Sequence, residues 1–448
     1  MHVVIDAKLE SYLLSFQRLV GRHTAVNILN EFDKVIKHYN IEKKIVRIVT
    51  NNASNNLAAF NRSDRSDDEI DIDIDDSGFN YAPDDALTNK NDNDIIYNNG
   101  DGNNVLDDIS DTDFTPYIAD TVDNNEQIRI PCYAHTIQLV LRDGIKECCV
   151  ALRLTLGKIA KSAKLCRSST IFADEFEKIH KTIRTSNETR WNSQFNMVKS
   201  FINILTATIN SILIEKKTDE LILSTKERQI VDEFISLFEL FNEATIKTQS
   251  ENKPPISIVA PSVLEILADL EKEKCKYLET LRASLLNSLK SRFGGLLSYF
   301  NIELPAQQRS MSKSFADPIF FISPVLDARF TFRWLDNVGL SPETIKCVTE
   351  KIKKMILNYT SQILGERIVT EARTQESAET VSNDSSCKKR KSLFSYLINA
   401  PKKVTTTNTA ILAQLEEFLA EEGIDSNLIF QKQNKYPILL KLAKLFLS

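Results

Sequence analysis

Hydrophobic positions near the N-terminus change from a strand-like to a helix-like period. The segments MHVVI and LESYLLSFQRL are apolar at the density of β-strands. After a potential N-cap at Thr24, apolar residues recur on one helical stripe, namely Ile28, Phe32, Val35, Ile36 and Tyr39. The run KKIVRIVT then predicts a short strand covered on both faces, as at the centre of a parallel sheet. This order of elements predicts an α/β sheet.

The rest of the chain has mostly the period of amphipathic helices. A short strand in IRIPCYAHTIQLVLRDGI is followed by a helix that carries Ile137, Val140 and Leu141 on one face. Further helices are predicted at Val150–Arg184, Trp191–Ile214, Thr225–Gln249, Val259–Lys272, Tyr277–Tyr299 and Pro342–Ile363. Near the C-terminus one helical face holds Ile411, Leu415, Phe418 and Leu419, and KYPILLKLAKLFLS follows it. The chain is long enough for two or three packed units.

Two segments break these patterns. Residues 61–126 contain 20 acidic and 3 basic residues, a net charge of −17, so the rest of the chain carries +12 against an overall −5. The acidic segment is predicted to be disordered because it cannot bury enough apolar surface. A basic remainder suits a polyanionic partner, and a generally Lys-rich solvated surface explains it equally well. Residues 366–407 form a second, basic linker.

The basic linker contains the cluster Lys388, Lys389, Arg390 and Lys391. Such a cluster predicts a nuclear import signal, and the alternative is an ordinary solvated loop. The seven cysteines are odd in number and form no CxxC pair, which favours a reducing compartment. No apolar run approaches the ~20 residues of a membrane helix, so we expect no contact with a membrane.

Four motifs follow one another in a specific order: IVTNNASNN, CYAHTIQLVLRDGI, ETRWNSQFNMV and NKYPILLKLAKLFL. Together they resemble the hAT superfamily of DNA transposases, in particular its zinc-finger BED-type relatives, and GRHTAVNIL and FFISPVLDARF are similar to further landmarks of that family. The resemblance implies an α/β plus α fold, a ribonuclease H-like mixed sheet interrupted by a large all-helical insertion domain. The implied parts are 1–60 and 127–150 for the sheet domain, 151–365 for the insertion domain and 408–448 for the start of a dimerisation region.

The resemblance also implies where catalysis belongs. In the family two Asp and one Glu hold divalent cations, because cations that bridge a scissile phosphate require carboxylate oxygens. The position of the second Asp corresponds to Asn51, and the other two acids are expected outside residues 1–448. We therefore expect a degenerate site that is not an enzyme and holds no cofactor. A polar strand-to-helix turn with Asn caps accounts for TNNASNN without any chemistry.

Two further pairs of residues are candidates for binding. Cys132 and His135 resemble the family's CxxH motif, but they supply only two of the four ligands usual for zinc, so a structural Cys and a hydrogen-bonded His are the preferred interpretation. Arg190 and Trp191 match a family position next to the cut, where Arg grips a phosphate and Trp stacks on a flipped base. The alternative places Trp191 in the helical core and Arg190 on a surface carboxylate.

The sequence thus predicts a truncated or domesticated hAT transposase-like nuclear protein, catalytically inactive, that binds DNA and self-associates through 408–448. We expect that C-terminal region to dock on the ribonuclease H-like domain and to leave part of its apolar face for a second copy. Two alternatives remain: an active transposase whose missing segments are supplied, and a protein-interaction scaffold without affinity for DNA.

Overall fold

The computed structural model describes residues 2–5, 8–51, 53–60, 128–186, 191–249, 254–304, 315–336, 338–364, 410–421, 423 and 425–447. The predictions of disorder for 61–126 and of a flexible linker at 366–407 lie outside these residues. Within them, no single helix is long and apolar enough to cross a membrane. The helices Trp191–Ile202 and Thr206–Glu215 reach the length and apolar composition of a membrane span only when they are taken together. The chain bends by 91° between them.

The N-terminal elements are two short strands and a capped helix. Strands β1 (His2–Ile5) and β2 (Lys8–Ser11) pair antiparallel, and helix α1 spans Ala25–His38. The Thr24 hydroxyl accepts a hydrogen bond from the backbone N–H of Asn27, which confirms the predicted N-cap. The strand predicted through LESYLLSFQRL is wrong beyond Ser11, where the chain is irregular and the Phe16 side chain is 94% exposed.

The second sheet is parallel and also has two strands. Strand β3 (Arg47–Thr50) leads into helix α2 (Ser54–Phe60), and β3 pairs in parallel register with β4 (Ile128–Pro131). Val49 of β3 is 59% exposed, so the prediction of a strand covered on both faces is wrong. The described residues form two separate two-stranded sheets and no larger mixed sheet. The helical part of the predicted fold class is confirmed, whereas a ribonuclease H-like sheet is not seen in this part of the chain.

Helices make up most of the described chain, and the first set builds one large core. Its members are α3 (Tyr133–Lys146), α4 (Val150–Ser168), α5 (Thr170–Lys178), α6 (Trp191–Ile202), α7 (Thr206–Glu215), α8 (Thr225–Thr248), α9 (Val259–Lys272), α10 (Glu279–Arg292) and α11 (Gly294–Ser298). Helix α8 lies at the centre, packed against α3, α4, α6 and α9, with Phe234, Phe238 and Phe241 buried. Its N-terminus has a capping box of Ser224 and Glu227.

Three predicted helices are each broken in two, and one of them is Tyr277–Tyr299, which is divided at Phe293 between α10 and α11. The predicted helix Val150–Arg184 ends at Ser168, because Ser169 adopts an extended conformation, and α5 then packs back on α4. The predicted helix Trp191–Ile214 is broken between α6 and α7. At each break, both halves bury apolar residues in the same core.

A second group of helices completes the core towards the C-terminus. It contains α12 (Ile319–Leu326), α13 (Pro342–Leu364), α14 (Ala410–Leu419), α15 (Leu428–Gln431) and α16 (Pro437–Phe446). Ile411, Leu415 and Phe418 of α14 are buried, which confirms the predicted stripe. Helix α16 packs mainly on α12 and α13, so the predicted docking of this region on the sheet domain is corrected to docking on the helical part. Helix α12 is apolar and buried along its whole length.

One ion pair joins the parallel sheet to this second group. The Nε of Arg47 in β3 lies 3.1 Å from Oδ2 of Asp317, and Asp317 Oδ1 accepts a hydrogen bond from the N–H of Ile319 in the first turn of α12. Both charged side chains are more than four-fifths buried. The carboxylate thus anchors β3 and satisfies the N-terminus of α12 at the same time.

Candidate site at the carboxyl ends of the parallel strands

Strands β3 and β4 end side by side, which creates the place where parallel sheets usually bind ligands. Thr50 lies opposite Pro131, and the N–H of Cys132 donates to the carbonyl of Thr50 over 2.8 Å. Helices α2 and α3 start just beyond these two ends. In open α/β sheets ligands lie beyond the carboxyl ends of the strands. Asn51, Cys132 and His135 are therefore all near one edge, as the sequence motifs require.

The side chain of Asn51 caps the turn between β3 and α2. Its Oδ1 accepts hydrogen bonds from the N–H of Ala53, at 3.3 Å, and from Nδ2 of Asn56. An amide oxygen used in this way holds the strand-to-helix turn as an Asx cap does. The geometry is that of the polar turn with Asn caps, the simpler of the two interpretations of TNNASNN.

A positively charged side chain, that of Arg129, lies at the same edge, and the motifs did not predict it. The Nε of Arg129 in β4 donates to Thr50 Oγ1 over 2.6 Å, and its Nη2 donates to the carbonyl oxygen of Asn51 over 2.8 Å. Burial lowers the pKa of the Arg129 guanidinium, which still stays charged at neutral pH. The alternation of residues in the IRIP strand could have predicted this position of Arg129, because it places Arg129 on the opposite face from the apolar Ile128 and Ile130.

The side chains at this edge do not fit as ligands of the pair of divalent cations that the family resemblance implies. Two such cations need several carboxylate oxygens, whereas Asn51 supplies a neutral amide that is already used in the turn. The positively charged Arg129 guanidinium, which donates a hydrogen bond to the Asn51 carbonyl oxygen, repels a metal cation at this edge. In the described part of the chain no three His, Cys, Asp or Glu side chains are grouped so that they could hold a metal ion.

Cys132 and His135 lie at the start of α3. Cys132 is the N-cap residue, and its carbonyl accepts hydrogen bonds from both the N–H and the hydroxyl of Thr136. Both residues are half-buried, and His135 has an interaction partner. The Cys132 backbone thus serves the junction between β4 and α3. This placement fits the structural interpretation of the CxxH pair.

Trp191 is the first residue of α6 and lies in the helical core. Its side chain is 5% exposed, and its ring centroid is 6.3 Å from those of Phe195 and Phe238. This is the core alternative for the Arg-Trp motif, because an indole packed between two phenylalanines has no free face for a base. Arg190, the other predicted DNA-binding residue, lies outside the described residues, as do Lys388, Lys389, Arg390 and Lys391.

A family model matches part of the helical core. Residues 130–237 match the model described as the ZBED1 RNase-like helical domain. The matched range begins at the end of β4 and runs through α3 to α7 into α8. The curated proteins include no significant match to this chain. Over residues 130–237 the chain is thus similar to the helical domain that this model describes, and these residues lie within the helical core.

Proposed function

We propose that this chain is a nuclear, hAT transposase-derived protein that binds DNA without cutting it. The observation that carries the proposal is the arrangement of Asn51 and Arg129 at the carboxyl ends of β3 and β4. The family match supports descent from a transposase-like protein, and the basic charge outside 61–126 supports a polyanionic partner. The finer fold assignment, a ribonuclease H-like sheet interrupted by the helical domain, belongs to the same proposal.

The absence of cutting follows from electrostatics at that edge. Metal-assisted cleavage stabilises the attacking and leaving oxygens with two cations, and those cations are held by a cage of negative charge. The described edge offers an amide, a threonine hydroxyl and a guanidinium, whose net charge is positive. A positive edge attracts a phosphate and repels the metal that would activate it. Binding without chemistry is the expected outcome.

The test is an assay of strand nicking next to an assay of binding. We expect the purified chain to bind duplex DNA at low salt and to produce no nicks with Mg²⁺ or Mn²⁺. Asn51→Asp should leave nicking absent, because one added carboxylate does not complete a two-cation site and Arg129 remains in place. Nicking by the wild-type chain that disappears when a chelator is added would refute the proposal and favour the active-transposase alternative.

Self-association through residues 410–447 is a second proposal. It rests on Ile438, Leu440 and Leu445, which are only half-buried although they belong to an apolar helix. Lys441 and Lys444 on the same helix are exposed, so any contact with a second copy has a basic rim. A scaffold without affinity for DNA would keep this contact and lose the salt-dependent binding that phosphate contacts produce.

Nuclear import through Lys388, Lys389, Arg390 and Lys391 completes the proposal. The support is the density of positive charge in a linker between two helical segments. Replacement of all four residues by Ala in a fluorescent fusion should reduce nuclear enrichment. A fusion that stays as nuclear as the parent would assign the signal to another segment.

A further inference from the structure

Helix α4 exposes a face that carries only positive charge. Its 19 residues include five basic and no acidic side chains. Four of the basic residues are exposed, namely Arg153, Lys161, Lys164 and Arg167, and we call them the basic face of α4. At 100° per residue they fall within about a third of the helix circumference. The first and the last of them are 14 positions apart, which corresponds to about 21 Å along the axis.

These four cations differ from other cations of the described chain in their partners. Lys158 of the same helix lies 2.9 Å from Glu227, and Lys199 of α6 lies 2.9 Å from Glu239. Among the described residues, by contrast, none of the four forms an ion pair. Arg167 makes a 3.4 Å hydrogen bond from Nη1 to the hydroxyl of Thr185. The positive charge of the face is therefore not neutralised by the described chain.

The centre of the face is open and has no apolar anchor. Gly157 lies between the four cations on the helix surface, and a Cβ placed there would meet no atom within 4 Å. The large exposed apolar side chains on this side, Val150 and Leu154, are at its N-terminal end, and Ala160 near the centre is small. Protein interfaces are held by buried aromatic or aliphatic anchors, and membrane-surface helices need a continuous apolar face. Neither feature is present here.

We propose that the basic face of α4 binds the phosphate backbone of duplex DNA. The inference rests on the proposed DNA-binding function and assigns it a surface away from the edge of β3 and β4. Four cations over about 21 Å match a polyanion with one charge per about 1.7 Å of axis. Lys and Arg contacts to phosphate position a protein on DNA and carry no base sequence, so this binding is independent of sequence.

The experiment measures the equilibrium binding constant for a mixed-sequence duplex between 50 and 200 mM salt. One variant carries Arg153→Gln, Lys161→Gln, Lys164→Gln and Arg167→Gln. Its plot of log Kobs against log salt should be less steep than the wild-type plot by about 3 to 4 units, because each phosphate contact contributes about −0.9. A second variant, Gly157→Glu, puts one negative charge at the centre of the face and should weaken binding at 50 mM salt.

The matched control carries Lys346→Gln and Lys354→Gln in α13, two exposed cations on another helix. Its salt slope should equal the wild-type slope. Circular dichroism melting of every variant shows whether it is folded. A quadruple variant that is folded and keeps the wild-type slope would overturn the assignment of the surface and leave DNA binding in place. A wild-type chain that does not bind duplex at 50 mM salt would refute the proposed function itself. Tighter binding of polyglutamate than of duplex at equal charge concentration would overturn the proposal in favour of an acidic protein partner.

Discussion

At the scale of single residues, one carboxylate holds the C-terminal helices together. Glu421, just after α14, accepts hydrogen bonds from Lys432, from Lys435 at 2.6 Å and from the hydroxyl of Tyr436 at 2.7 Å. These donors lower the pKa of Glu421 to about 2. Burial, together with the bond to Glu421, raises the pKa of Tyr436 to about 12. The network links the end of α14 to the loop before α16.

We predict that Glu421→Gln lowers the melting temperature at pH 7. The pKa of Glu421 in the folded chain is below its ordinary value of 4.5, so its contribution to stability is present above that value and is lost as the pH falls towards 2. The difference in melting temperature between wild type and variant should therefore shrink over that range. Glu417→Gln is the control, because Glu417 is exposed and makes only a 3.0 Å pair with Lys435. A difference that does not depend on pH would contradict the role of the charge.

At the scale of elements, the contact between helices α3 and α10 depends on a missing side chain. Helices α3 and α10 approach at Gly144, where a Cβ would lie 2.5 Å from Cδ2 and 2.8 Å from Cγ of Leu285. Gly157 of α4 is also in the interior of a helix, and its Cβ position is open. The two glycines thus have the same helical backbone and opposite surroundings. They separate the effect of packing from the effect of helix propensity.

We predict opposite signs for Gly144→Ala and Gly157→Ala. The first should lower the free energy of unfolding, because an overpacked core costs about 1 to 3 kcal/mol and outweighs the gain in helix propensity. The second should raise the free energy of unfolding by about 0.5 to 1 kcal/mol, since alanine loses less conformational entropy than glycine. Urea unfolding measures the free energy of unfolding of both variants, and the comparison with wild type is valid when the m-values are equal. Stabilisation by Gly144→Ala would mean that Leu285 adopts another rotamer and that the contact is loose.

At the scale of the whole molecule, the C-terminal segment is part of the same core as α12 and α13. Leu439, Leu442 and Phe446 of α16 are buried, and the Phe446 ring is 5.0 Å from that of Tyr359 in α13. Residues far apart in the chain therefore form one hydrophobic core. The segment contributes to stability whether or not it also binds a second copy.

We predict that Leu439→Ala lowers the free energy of unfolding by about 2 to 5 kcal/mol, because it leaves a cavity against buried neighbours. Lys441→Ala, on an exposed position of the same helix, should change that free energy by less than about 0.5 kcal/mol. A chain that ends at residue 409 should melt earlier than the wild type and, if the second proposal is correct, should sediment as a smaller species. Equal free energies of unfolding for Leu439→Ala and wild type would contradict docking of α16 in the core.

The sequence by itself determined the features that depend on residues a few positions apart. The helix Val259–Lys272, the cap at Thr24, the stripe of α14 and the Asn turn at residue 51 were predicted from periodicity and local hydrogen-bonding chemistry, and the structure has them. The order of motifs also predicted a resemblance with which the match of residues 130–237 to the ZBED1 RNase-like helical domain agrees. Local patterns are reliable here because caps and amphipathic stripes are formed within one or two helical turns.

Only the tertiary structure decided the features that depend on distant residues. Helix α12 is apolar on every side and has no period to read, so its place became clear only from the helices that cover it. The Trp191 motif allowed two interpretations, and contact with Phe238, 47 positions away, decided where its side chain lies. Arg129 reaches the turn of Asn51 across 78 positions of the sequence. Such contacts are set by how whole elements pack, and no local pattern specifies them.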